Sequence, residues 1–114
     1  MATDCIFCKI VSGEIPAKLV HEDDRAVAFA DLHPQAPTHL LVIPREHLAS
    51  LAEATDAHLA LLGHLQLVAA KVARQAGLAQ GFRIVSNIGA DGGQTVGHLH
   101  IHVLGGRAMH WPPG

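Results

Sequence analysis

Tyrosine is absent from the 114 residues, and three Phe and one Trp are the only large aromatics, so aliphatic side chains must fill the interior. Positive charge is also scarce. Eight Lys and Arg face ten Asp and Glu, the net charge is -2, and no basic block occurs, so the electrostatic footprint of a nucleic-acid binder is missing. No apolar run reaches the roughly eighteen residues of a membrane-spanning helix. The opening stretch MATDCIFCKIVSGEIP has no basic segment followed by a long apolar run, so the expectation is a soluble, cytoplasmic protein without a membrane partner. Cysteine is limited to Cys5 and Cys8, too few and too close for the disulfide framework of a small secreted domain.

What is present points the other way. Hydrophobic residues make up 49% and charged residues 16%, the balance of a folded globule, and the length suits one domain over 1–114. There are ten histidines. With an ordinary pKa near ~6.5, each can bind a metal or move a proton at neutral pH.

Three of them organise the chain. In HLHIHVLGG, residues 98 to 106, His98, His100 and His102 alternate with Leu99, Ile101 and Val103. In an extended strand the imidazoles would share one face, roughly 7 Å apart, and the aliphatics would share the other. Directly upstream, GADGGQTVG at 89 to 97 is a glycine-rich loop whose amides could cradle an anion, although it matches neither a Walker nor a dinucleotide fingerprint. Together they predict phosphate chemistry on one strand. The plain alternative is an amphipathic strand with solvated histidines.

The remaining elements follow from periodicity and punctuation. Asp4 should cap a helix from Cys5 to Ser12, with Ile6 and Ile10 on one side and Gly13 at its end. Lys18 to Glu22 and Ala26 to Ala30 read as strands joined by an Asp23-Asp24 turn, and Asp31 to Thr38 as a loop. His39 to Ile43 reads as a strand buried on both faces and stopped by Pro44, and Arg45 to Glu53 as coil or a helical turn. Thr55 should cap a long helix from Asp56 to about Ala76, with Gly77 past its end and Leu62, Leu65, Ala69, Val72 and Ala76 as its apolar stripe. Gly63 within it suggests a close packing contact. With strands at Phe82 to Asn87 and His98 to Leu104, the expected fold is α+β: a five-stranded, mostly antiparallel sheet, one long helix and a short N-terminal helix. Trp111 in the tail should pack on something, a second subunit included.

The run His98-Leu99-His100-Ile101-His102-Val103-Leu104 resembles the histidine triad pattern HφHφHφφ, with φ apolar, at every position. EDDRAVAFADLHPQAPTHLLVIP at 22 to 44, GGQTVGHLHIH and the ending GGRAMHWPPG are similar to the Hint branch of that superfamily. The resemblance implies nucleotide-binding hydrolases and transferases, homodimers whose sheets join into one. It implies His100 as nucleophile, attacking a nucleoside monophosphate derivative to form a nucleotidyl-histidine that water then hydrolyses, since a neutral imidazole both attacks phosphorus and leaves again. His102 and His39 would donate hydrogen bonds to phosphate oxygens and help a proton reach the leaving group.

Gln94, Thr95 and the amides around Gly93 would hold the non-bridging oxygens, with Asn87 as a further polar contact. Thr95 stands where Hint-like sequences carry serine, keeping the hydroxyl. The resemblance points to Asp31 for the ribose hydroxyls, and to Ile6, Phe7, Ile10, Phe29 and Leu32 as an apolar slot for a purine. By residue type alone those five read as core, and it is the resemblance that reverses this.

Cys5 and Cys8 can be half of a zinc site, buried thiols or a redox pair. The resemblance supplies two further zinc ligands, His47 and His98, for a structural role that ties the N-terminal helix to the sheet. His21, His58 and His64 read as surface or satisfied packing residues. The expected function is a purine nucleoside phosphoramidase or related nucleotide hydrolase. A dinucleoside polyphosphate hydrolase and a nucleotide-binding interaction module are the alternatives.

Overall fold

Cys5 begins the described structure's first helix in place of Asp4. In this computed structural model, which describes residues 4–114, Cys5 is the extended N-cap residue and its Sγ accepts the Cys8 N–H at 3.3 Å. The Cys5 sulfur thus does what the Asp4 carboxylate was expected to do. Helix α1 runs over Ile6–Ser12 and ends on Gly13, whose φ of 83° suits a residue without a Cβ.

Five strands form one antiparallel sheet: β1 Leu19–Glu22, β2 Ala26–Ala30, β3 Thr38–Pro44, β4 Phe82–Val85 and β5 Ile101–Gly105, in the order β1-β2-β3-β5-β4. Helix α2, Leu59–Gln75, follows a 3-10 turn at Asp56–His58 that Thr55 caps as expected, with His58 closing a capping box. The α+β architecture predicted above is therefore present.

The sheet is covered on both sides, which explains why β3 is buried from His39 to Pro44. Ala26, Ala28, Leu40, Val42, Leu99, Ile101 and Val103 pack with α2. Val27, Phe29, Leu41 and Ile43 pack with Phe7 of α1. Each fully buried Leu or Val contributes about 1.5–3 kcal/mol, and Leu65 and Val72 at the centre of α2 are such residues. The buried stripe of α2 is Leu61, Leu65, Val68, Ala69, Val72 and Ala73. Leu62 is only partly buried and Ala76 is exposed, because the helix starts three residues later and is turned by about one position. Among the described residues Gly63 has no close packing contact, since a Cβ there would meet nothing within 4 Å. Trp111 is 81% exposed among the described residues.

The triad strand is shorter than its alternation suggests. β3 pairs with β5 only as far as Val42 opposite Ile101. Beyond that point Leu99 N–H donates to the Leu48 carbonyl and the Pro44 carbonyl accepts from the His98 ring, so His98 to His100 run on outside the ladder. Similarly β4 ends at Val85 and leaves Ser86 and Asn87 in the following loop. The alternation itself survives: Leu99, Ile101 and Val103 still face α2.

Candidate active site and metal centre

His100 lies where the chain enters β5, and one hydrogen bond fixes which ring nitrogen carries the proton. Nδ1 donates to the His98 carbonyl at 2.7 Å, so the lone pair is on Nε2. The Phe7 ring meets it edge-on, with centroids 5.3 Å apart. His102 is closer than strand spacing predicts, 4.9 Å between centroids, because the two rings tilt into a T-shaped pair.

His102 and His39 form a directional pair. The Gln35 amide donates to His39 Nδ1 at 3.0 Å, which leaves the His39 proton on Nε2. That Nε2 is 2.8 Å from His102 Nδ1 and 3.4 Å from the Asp31 carboxylate. His102 therefore accepts on Nδ1 and keeps its own proton on Nε2. Burial lowers the His39 pKa, against the pull of Asp31. Burial, with the neighbouring His100 and His39 rings, lowers His102 to about 4. Both rings are neutral at pH 7. Both nitrogens of His39 are engaged within the protein, Nδ1 with the Gln35 amide and Nε2 with His102 Nδ1.

The glycine-rich loop uses much of its polarity on itself. Gln94, expected as a phosphate ligand, accepts from the Gly89 amide with its carbonyl and donates from Nε2 to Ala49 O and Val96 O. The amides of Gly93 and Gln94 are donated to Ala90 O and Gly89 O. Asn87 donates to Gly92 O at 2.7 Å, where a Cβ would lie 2.2 Å from the Ile88 carbonyl oxygen, so residue 92 must be glycine. Thr95 remains exposed with its hydroxyl.

The five apolar candidates divide. Phe7 and Phe29, each 6% exposed, pack edge to face at 5.6 Å and belong to the core. Ile10 packs partly buried against them. Ile6 and Leu32 are exposed and free to meet a ligand. Asp31 accepts the His33 amide on Oδ1, which fixes the carboxylate beside His39.

A second histidine cluster adjoins the first. His98 is fully buried, and its Nε2 donates to Pro44 O at 2.9 Å, which turns the Nδ1 lone pair toward Cys5 Sγ at 3.3 Å, Cys8 Sγ at 3.5 Å and His47 Nδ1 at 3.2 Å. Cys8 Sγ is 3.3 Å from His47 Nδ1, and the four donor atoms lie within 4.8 Å of one another. Ligands of tetrahedral zinc, at about 2.0–2.1 Å for nitrogen and about 2.3 Å for sulfur, stand about 3.3–3.8 Å apart along the edges. The donor set and its spacing fit zinc. Burial, a hydrogen bond with Cys5 and its charge push the Cys8 thiol up to about 11, so an incoming cation must displace a proton.

Two contributors were invisible in the sequence because they act through backbone atoms: the Gln35 amide, which sets the His39 tautomer, and Pro44 O, which sets that of His98. Ser86 Oγ, donating to His100 O at 3.3 Å, had no motif to mark it. His21 and His64 are satisfied packing residues as expected, both on Asp23 Oδ2, at 2.7 and 2.8 Å. Burial works to raise the Asp23 pKa, but bonds from His21, the Arg25 amide, His64 and the Ala26 amide outweigh it and hold the carboxyl well below the usual range. A cavity of about 660 Å³ lies beyond the far end of β5, between Gly77–Arg83 and Gly106–Met109, and no candidate site residue lines it.

Comparison with known proteins agrees with this geometry. A family model described as "Scavenger mRNA decapping enzyme C-term binding" matches residues 4–110. The chain is 51% identical over 111 residues to a 14 kDa zinc-binding protein of Zea mays, covering 96% of this chain and 87% of that protein. It is 52% identical over 111 residues to the adenylylsulfatase HINT1 of Arabidopsis thaliana, covering 96% and 76%. The crystal structure of a HIT family hydrolase from Legionella pneumophila superposes with a TM-score of 0.94 at 50% identity, over 96% of this chain and 99% of that one.

Proposed function

The chain belongs to the histidine triad (HIT) family and is a hydrolase of that family, and from that premise we propose that its substrates are purine nucleoside 5′-monophosphate derivatives, phosphoramidates first among them. The observation that carries this is the His100 ring, whose Nδ1 proton is bound to His98 O, leaving Nε2 to attack phosphorus. The Nε2–P bond forms as the bond to the leaving group breaks, and water then cleaves the nucleotidyl-histidine to release the monophosphate. His102 contributes its Nε2–H to the developing charge, and His39 holds it in that tautomer. Asp31, the Thr95 hydroxyl and the exposed Ile6 and Leu32 are the proposed nucleoside and phosphate contacts.

A second leaving group has specific support. The Arabidopsis relative is named an adenylylsulfatase. Sulfate departs without a proton, which suits a neutral His102, whereas an amine must take its proton from solvent or bring it with the substrate. Parallel assays with adenosine 5′-phosphoramidate, adenosine 5′-phosphosulfate and diadenosine polyphosphate test the order. Turnover of the polyphosphate alone contradicts it.

Zinc held by Cys5, Cys8, His47 and His98 belongs to the same proposal, supported by the donor spacing and the maize relative's name. Bound there, it supplies no reaction chemistry and ties α1 to the sheet. The free thiols suit a reducing, cytoplasmic setting. A homodimer is supported by β4, an edge strand with Phe82 and Ile84 exposed, and by the exposed Leu59, Leu67 and Trp111. A monomer in sedimentation at micromolar concentration contradicts it.

A further inference from the structure

We infer that the Cys5, Cys8, His47 and His98 cluster positions the catalytic imidazole, so that metal occupancy governs how well His100 is aimed as well as how firmly α1 is held. The inference rests on the reading of His100 as nucleophile and of the cluster as a zinc site.

Three contacts join the two. The first is the His98 carbonyl, which accepts the His100 Nδ1–H at 2.7 Å while the ring of the same residue is a cluster member. A peptide group is planar, so the direction of that carbonyl is fixed by His98 on one side and Leu99 N on the other. The second contact fixes the Leu99 side: its N–H donates to Leu48 O at 2.6 Å, and Leu48 directly follows His47, another cluster member. Both ends of the peptide that orients His100 are therefore anchored next to a cluster histidine. The third is Phe7, carried on the turn between Cys5 and Cys8, whose ring meets His98 at 5.9 Å and His100 at 5.3 Å, edge-on in both cases.

With a metal in place, four bonds of fixed length hold these residues. Without it, the same four donors have only the weak hydrogen bonds of thiols and a shared imidazole proton. His98 and Phe7 then act as positioning residues through His100, and the expected effect falls on turnover rather than on nucleotide binding.

The full-length protein should be compared with zinc bound and after chelation, recording zinc content, thermal unfolding, the 15N-imidazole NMR signal of the His100 Nδ1–H, and kcat and KM with adenosine 5′-phosphoramidate. Chelation is expected to leave a cooperatively folded protein in which the His100 N–H signal broadens or shifts and kcat falls about tenfold while KM changes by less than about twofold, zinc restoring both. An unmoved signal and unchanged kcat in folded, zinc-free protein overturn the inference. Should chelation unfold the chain, the zinc-loaded Phe7→Leu variant decides: retained zinc with a shifted His100 signal and lowered kcat supports it, and retained zinc with an unshifted signal overturns it. Failure to take up zinc, or a nucleotide label found on a residue other than His100, contradicts the underlying functional reading and removes the inference with it.

Discussion

Two pairs of facing histidines lie close together, one on the sheet and one just past its end, and small differences in their surroundings leave different ring nitrogens free. His47 and His98 approach through Nδ1 atoms 3.2 Å apart with two sulfurs beside them. His39 and His102 approach to 2.8 Å with a carboxylate alongside. Asp31, His39 and His102 also bring three ligand atoms within 4.8 Å, so proximity alone does not separate the pairs. What separates them is the other nitrogen of each ring. Pro44 O takes the His98 proton and frees a lone pair for a cation, whereas the Gln35 amide occupies the His39 lone pair and sends its proton toward His102. One pair leaves lone pairs that could hold a cation, and the other is a hydrogen bond already made.

The largest effect that would sharpen this contrast is expected from Cys8→Ser. The variant should lose stoichiometric zinc and, at a thousandfold excess of metal over Kd in the parent, about 4 kcal/mol of stability. Metal analysis and thermal unfolding measure both, and equal zinc content would break the distinction between the pairs. His39→Asn should leave zinc content unchanged and lower kcat about a hundredfold by misorienting His102. Loss of zinc from that variant would show the pairs to be one unit.

The smallest effect concerns pH. His102 is held near 4 against an ordinary 6.5, mainly by burial. Above 6.5 neither folded nor unfolded chain protonates it, so it contributes nothing to the pH dependence. Between 6.5 and about 4 the unfolded chain binds the proton and the folded chain does not, so stability declines as the pH falls through that window. Urea unfolding at intervals across it should show a shallower decline for His102→Asn, and equal slopes would contradict the burial argument.

Much of the fold was legible because period and punctuation agreed locally. The β2 boundaries, the Thr55 cap and the Gly13 stop are set by neighbouring residues. Where the reading missed, distant partners decided. The triad ladder stops because residues past Val42 engage side-chain and loop atoms, and Cys5 displaces Asp4 as cap because its sulfur is already turned inward toward His98. At the site the histidines could be found by alternation and resemblance. Their tautomers could not, since Gln35, Pro44 and His98 act through backbone groups that every residue type possesses. The internal contacts of Gln94 with Ala49 O and of Phe29 with the core were likewise hidden, since their partners are distant in the chain.

The central claim is that Nε2 of His100 is the atom that takes the nucleotide. Rapid quenching during turnover of an adenosine phosphoramidate, followed by mass-spectrometric mapping of the adduct, tests it directly. The account predicts an adenylyl group on His100 that is absent from His100→Ala. An adduct on another residue, or full turnover by His100→Ala, would contradict it.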